Sequence, residues 1–222
     1  FDFYLVHNLC EDSVPVFTSH EKGVIPYLLE QKKAGRIRHL GVSSHAKPET
    51  LKAFLDQYDC FEFVQLQLNY LDWDMQDAKQ QYEIVTNYGV PVWVMEPCRG
   101  GRLASLTPEA DAILKAADPD HSIASWAFRY VMGLPNVGVV LSGMTQMDQA
   151  EDNIKTFSAG SLLTDAQQDA LQKALSLFRS QVNVPCTGCH YCDGCPMELD
   201  IPAVLSLYNR FALNKSPMIH MD

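Results

Sequence analysis

The chain has 222 residues, 47% of them hydrophobic, and a formal net charge of −10 at pH 7. That length and apolar content can build one large domain or two smaller ones. The acidic balance argues against nucleic acid or an anionic membrane surface as partner, and no apolar run approaches the roughly 18 residues of a membrane span.

From residue 1 to about 157 strand and helix patterns alternate. Short apolar runs predict strands at Phe3–Val6, Ile37–Val42, Phe63–Leu68, Val90–Met95 and Val137–Leu141. The runs are continuous rather than alternating, as suits strands covered on both faces of a parallel sheet. Between them lie helical stripes. Ile25, Leu28 and Leu29 share one face, and Leu51, Phe54, Leu55 and Tyr58 another. Ala78, Tyr82 and Val85 form a third, stopped by Gly89 with Pro91 beyond. Ser122 can cap a helix carrying Ile123, Ala127, Tyr130 and Val131, and a further helix is expected from about Met147 to Phe157.

After Gly160 the rhythm changes. Thr164 and Gln167 have capping-box spacing ahead of Leu171, Leu175, Phe178 and Val182. Asp200 can cap a last helix with Pro202 near its start and Leu205 and Tyr208 on one face. The tail carries no strand signal, so a domain boundary is expected near residue 160, giving domains 1–160 and 161–222.

Strand–helix repetition allows a doubly wound sheet or a (β/α)8 barrel. No strand leads into a Gly-x-Gly-x-x-Gly turn. Every strand instead ends in polar or glycine-rich sequence: His7-Asn8, Ser43-Ser44-His45, Gln67-Leu68-Asn69, Glu96-Pro97 and Ser142-Gly143. Barrel enzymes assemble their sites from the C-terminal ends of many strands. The expected fold is therefore α/β, a partial (β/α)8 barrel with five βα units. The chain opens on Phe1, inside an apolar run, and reads as a piece of a longer protein.

Four cysteines, Cys186, Cys189, Cys192 and Cys195, stand two residues apart and are followed by Pro196. Thiolates in this number suit an iron–sulfur cluster or zinc. Structural zinc usually draws on two separated Cys-x2-Cys knuckles. The unbroken spacing ending in Cys-Pro is close to the bacterial ferredoxin run, which has one more residue before its last cysteine. Disulfides would be strained by such short gaps, and no secretory signal supports an oxidising compartment. Cys10, Cys60 and Cys98 are scattered, as reduced thiols of a cytoplasmic protein would be.

Taken in order, Phe-Asp-Phe-Tyr-Leu-Val-His-Asn (1–8), Arg-His-Leu-Gly-Val-Ser-Ser-His (38–45), Val-Gln-Leu-Gln-Leu-Asn-Tyr-Leu-Asp (64–72) and Leu-Ser-Gly-Met-Thr (141–145) form a recognisable series with Glu-Asp-Asn (151–153) and the cysteine run. The chain resembles the aldo/keto reductases, in the branch with a ferredoxin-like C-terminal extension, from the fourth barrel strand onward. The resemblance implies hydride transfer between NADP or NAD and a small carbonyl or alcohol substrate. A helical tail holding a 4Fe–4S cluster would exchange electrons, with an electron-transfer protein as a further partner.

Residue by residue, His7 matches the family's active-site histidine, which hydrogen-bonds the substrate carbonyl. Ser43 and Ser44 match a Ser-Asn pair at the nicotinamide carboxamide, with Ser for Asn at the second place. Gln65 matches a glutamine at the same carboxamide, although Gln67 points to the same side. Met95 stands where the family often stacks a Tyr on the nicotinamide. Gly100, Gly101 and Arg102 match a loop wrapped over the pyrophosphate, where glycines admit phosphate oxygens to backbone N–H groups. Gly143 and Thr145 precede the last barrel helix, and Asp152 and Asn153 match an acidic–Asn pair around the adenosine. Gln149 replaces an arginine often used for a 2′-phosphate, which leaves NADP and NAD both open. The family's Asp, Tyr and Lys have no counterpart in this sequence. The alternative to an enzyme is a non-catalytic barrel scaffold with a structural or redox-sensing cluster.

Overall fold

The computed structural model describes residues 1–19, 23–181, 184, 186 and 192–214, with side chains placed through residue 208 except at Gln181. In chain order the elements are β1 (Phe3–Leu9), α1 (Val14–Phe17), α2 (Val24–Lys33), β2 (His39–Ser44), α3 (Pro48–Gln57), β3 (Phe63–Gln67), α4 (Asp72–Met75) and α5 (Ala78–Asn87). They continue with β4 (Val92–Met95), α6 (Pro108–Ala117), α7 (Ile123–Met132), β5 (Val137–Val140), α8 (Met147–Ala159), α9 (Asp165–Gln181) and α10 (Ile201–Asn214). All five expected strands form, within a few residues of their predicted ends. The short α1 and α4 and the longer α6 come in addition to the expected elements, and Thr107 and Pro108 announce α6: the Thr107 hydroxyl accepts from the Ala110 N–H and Pro108 occupies the first turn.

The chain divides into two compact units, one of Phe1–Pro97 with Phe128–Glu151, the other of Cys98–Ala127 with Asp152 onward. The first holds a single five-stranded sheet, in the order β1-β2-β3-β4-β5. Every neighbouring pair is parallel. Sequence-order parallel strands joined by helices are the arrangement of a (β/α)8 barrel.

Alternation gives the sheet two unlike faces. Val6, Leu40, Val42, Val64, Leu66, Val92 and Val94 point to one side and are buried with Ile25 and Leu28 of α2, Leu51, Phe54 and Leu55 of α3, and Tyr82 and Val85 of α5. Leu29, expected on the buried stripe of α2, is instead exposed. The other face carries Phe3, Leu5 and His7 of β1, then His39, Gly41 and Ser43, then Phe63, Gln65 and Gln67, then Trp93 and Met95. Its lower part is aromatic: Phe63 stacks on Trp93 at a centroid distance of 4.0 Å, and Phe3 meets both. Gly41 makes room for this layer, since a Cβ there would stand 2.5 Å from the Phe63 ring. Toward the C-terminal strand ends the same face turns polar.

In the second unit α6 packs on α9. Leu103, Leu114, Trp126, Leu171, Leu175 and Phe178 are buried there. Thr164 and Gln167 form the expected capping box: the Thr164 N–H donates to Gln167 Oε1 at 3.0 Å and the Gln167 N–H to Thr164 Oγ1 at 3.3 Å. Asp200 caps α10 by accepting from the Ala203 N–H at 3.0 Å. Ser122 caps α7, accepting from the Ser125 N–H at 3.0 Å. No helix among the described residues is long and apolar enough to cross a membrane.

Candidate active site

The polar strand ends of the first unit gather around Ser43. Its hydroxyl accepts from the Asn8 N–H at 2.9 Å and lies 3.4 Å from His7 Nδ1. Asn8 adopts φ of +61° and interrupts the β1–β2 register between Val6 and Leu9. An irregularity of this kind bends a strand and re-aims a side chain. Here it leaves His7 exposed at the end of β1 with its ring beside Ser43. The Asn8 side-chain oxygen is buried without a partner.

Gln65 sits opposite Ser43 in the β2–β3 register. Its amide nitrogen donates to the Met95 thioether at 3.3 Å, while its Oε1 is buried with no hydrogen-bond partner. Such an orphan acceptor costs free energy unless a donor arrives. Gln67, on the same face two residues on, is differently committed: its amide donates to Asp72 Oδ2 at 2.9 Å. Of the two glutamines, Gln65 is the one whose amide oxygen is both buried and unpartnered. His7, Ser43, Gln65 and Met95 are thus brought together on one face, whereas Ser44 falls on the other, and its hydroxyl accepts from the Ala46 N–H at 3.2 Å.

Ser44, His45 and Gln67 also line a pocket of about 150 Å³ with Gln76 and Gln81. Burial lowers the His45 pKa from 6.5, and the nearby His7 pushes it the same way. Gly143 and Thr145 are exposed ahead of α8, where the Thr145 N–H donates to Gln149 Oε1 at 2.9 Å and the Gln146 N–H at 3.3 Å. The glutamine in the arginine's place therefore caps its own helix.

In the second unit Arg99, Gly100 and Gly101 all take positive φ, at +51°, +61° and +84°. The turn closes through Arg102 N–H to Arg99 O at 3.1 Å and Leu103 N–H to Cys98 O at 3.0 Å. Arg102 donates to the Cys186 carbonyl at 2.6 Å, and the buried Arg99 reaches the same oxygen at 3.4 Å. Burial, then the neighbouring Arg99 charge, lowers the Arg102 pKa from its ordinary value. Asp152 accepts from the Ser122 hydroxyl at 2.5 Å. Asn153 follows it, half-buried on α8.

Of the four tail cysteines, Cys186, Cys192 and Cys195 are half-buried, and Cys189 lies outside the described residues. The Leu199 and Met197 N–H groups hold the Cys195 thiol below its ordinary pKa, favouring thiolate. Among the described residues no group of three or more His, Cys, Asp or Glu side chains is placed to hold a metal ion.

The chain matches the Aldo/keto reductase family over residues 1–176. It belongs to that family. No curated protein matches the chain. Among solved structures it is similar to an aldo-keto reductase from Bacillus halodurans in its holo form, at 22% identity and a TM-score of 0.62, over 78% of this chain and 58% of that one. A thermostable aldo-keto reductase in complex with the inhibitor epalrestat matches at 19% identity and a TM-score of 0.60, over 79% and 59% of the two chains. An aldo/keto reductase from Brucella melitensis matches at 17% and 0.56, over 78% and 60%. At these identities the likeness is one of fold. The chain spans about six tenths of the length of these structures.

Proposed function

We propose that this aldo/keto reductase chain supplies barrel strands four to eight of an NAD(P)-dependent oxidoreductase acting on a small carbonyl or alcohol, in the cytoplasm. The observation that carries the proposal is Gln65 Oε1, buried and unpartnered beside Ser43 and His7. A primary carboxamide such as that of nicotinamide supplies the missing N–H donor and, with its carbonyl, an acceptor for a hydroxyl. A bound nicotinamide supplies or takes up the hydride. Gln65 accepts from its carboxamide, Ser43 bonds to the other side of that group, and Met95 packs against the ring. His7, exposed beside them, donates to the substrate oxygen on which negative charge develops. The family resemblance assigns Gly100, Gly101 and Arg102 to the pyrophosphate, Gly143 and Thr145 to the helix N-terminus, and Asp152 and Asn153 to the adenosine. Ser44 supports the carboxamide side through the β2–α3 loop. Arg102 and Asp152 would exchange their present partners, the Cys186 carbonyl and the Ser122 hydroxyl, to do so.

Residues 161–222 form a helical tail whose Cys186, Cys189, Cys192 and Cys195 hold a 4Fe–4S cluster that exchanges electrons with a protein partner. The support for the cluster is the thiol donor set and its spacing, with the depressed Cys195 pKa in agreement.

The test is His7→Ala in the full chain, assayed for nicotinamide-dependent carbonyl turnover and cofactor affinity. Losing a donor at a developing oxyanion costs roughly 100- to 1000-fold in kcat. Cofactor affinity should stay within a few-fold of wild type. Equal loss of both, or retained turnover, refutes the role, and retained turnover in particular moves the chain toward the scaffold alternative.

A further inference from the structure

Asp72, at the start of α4, is fully buried. An ionised carboxylate has no donor of its own, so it must be surrounded by N–H or O–H groups to be tolerated inside a protein. Two primary amides meet one of its oxygens: Gln67 Nε2 at 2.9 Å and Asn69 Nδ2 at 2.7 Å. Asn69 is itself fixed at both ends. Its Oδ1 accepts from the Leu71 N–H at 3.0 Å and the Asp72 N–H at 2.8 Å, and its Nδ2 also donates to the Glu96 carbonyl at 3.0 Å. Glu96 stands just beyond β4 with φ of +56°, a conformation a non-glycine residue holds only when its surroundings impose it. One carboxylate therefore anchors the C-terminal ends of both β3 and β4.

We infer that Asp72 is a positioning residue for the nicotinamide subsite, acting through Gln67, Asn69 and the end of β4 on Gln65. The inference rests on the nicotinamide proposal above. Two effects combine. First, the shared acceptor orients both amides and commits the Gln67 nitrogen to Asp72, while the buried Gln65 Oε1 has no partner. Second, the Asn69–Glu96 bond fixes the backbone next to Met95, whose carbonyl accepts from the Leu68 N–H at 3.2 Å and whose sulfur accepts from Gln65. The Gln65 amide is thus set with its nitrogen on Met95 and its oxygen buried without a partner. An Ala at 72 removes the acceptor that both amides share and undoes both effects.

The experiment compares Asp72→Ala with wild type in the full chain, by fluorescence titration with NADPH and NADH. Parallel titrations use 2′-phospho-ADP-ribose and ADP-ribose, which lack the nicotinamide. Loss of the anchor should weaken NADPH or NADH binding about tenfold, as expected for a buried polar group deprived of its partner. Binding of the nicotinamide-free probes should change less than twofold. The tenfold effect should vanish in a Gln65→Ala background, because Asp72 acts through Gln65. Gln67→Met, which removes one donor and keeps the side-chain length, should shift affinity in the same direction by less, and it serves if Asp72→Ala does not fold. Equal loss for all four probes marks Asp72 as merely structural and overturns the inference. So does unchanged NADPH and NADH affinity, or a tenfold effect that persists without Gln65. A wild-type chain that binds neither NADPH nor NADH refutes the nicotinamide proposal itself, a separate outcome.

Discussion

Gly41→Ala tests the packing beneath the site. Gly41 lies between Leu5 and Phe63 in the sheet register, and an added Cβ would stand 2.5 Å from two Phe63 ring carbons and 2.7 Å from a third. Ordinary carbon–carbon contact is about 3.5–4.0 Å, so the ring must retreat by roughly an ångström. It has nowhere cheap to go: Phe63 is 2% exposed and is stacked on Trp93 at 4.0 Å, with Phe3 against its edge. Overpacking of this kind costs about 1–3 kcal/mol. For a chain of this size that is a Tm fall of roughly 2–10 °C, read by calorimetry or far-UV circular dichroism. The clash has one owner, so Phe63→Leu should absorb it, and the cost of Gly41→Ala in that background should drop below about 0.5 kcal/mol. An unchanged Tm for Gly41→Ala, or strict additivity with Phe63→Leu, refutes the reasoning.

Two further outcomes are expected. Because folding lowers the His45 pKa, the unfolded chain binds the proton first as pH falls below about 6.5, so stability is full above that value and declines beneath it. Urea midpoints between pH 7.5 and 5.5 should fall more for wild type than for His45→Gln, and parallel curves would defeat the assignment; Glu11, whose pKa the Lys47 N–H lowers from 4.5, acts only at more acidic pH. Anaerobically purified chain should carry iron with equimolar acid-labile sulfide and lose both in Cys192→Ser, whereas stoichiometric zinc without sulfide would remove the cluster from the proposal.

What the sequence made legible is what depends on near neighbours along the chain. Continuous apolar runs located all five strands; β2 and β3 are buried along almost their whole length, whereas β1 and β5 keep exposed residues. The caps at Thr164, Asp200 and Ser122 were readable because each bonds to an N–H three residues on. The same Ser122 shows where such reading stops. Its hydroxyl also donates to Asp152, thirty positions away, and that bond engages a carboxylate that the family resemblance assigns to adenosine. Arg102 is similar, since its partner is a backbone carbonyl at residue 186 that no side-chain pattern announces.

The two glutamines of β3 sharpen the point. Gln65 and Gln67 share a face by alternation alone, so local pattern offers both to a ligand and cannot rank them. What ranks them is Asp72, five residues beyond Gln67 and past a turn that Asn69 builds by accepting two backbone N–H groups. A turn type places its own residues, but not the amide that a buried carboxylate will capture from the preceding strand. Asn8 presents the same difficulty in the backbone, where a positive φ and a register break aim His7 at Ser43 from a stretch that reads as plain strand. Strand ends name the candidates for a site; the choice among them is made by buried polar partners supplied from other elements.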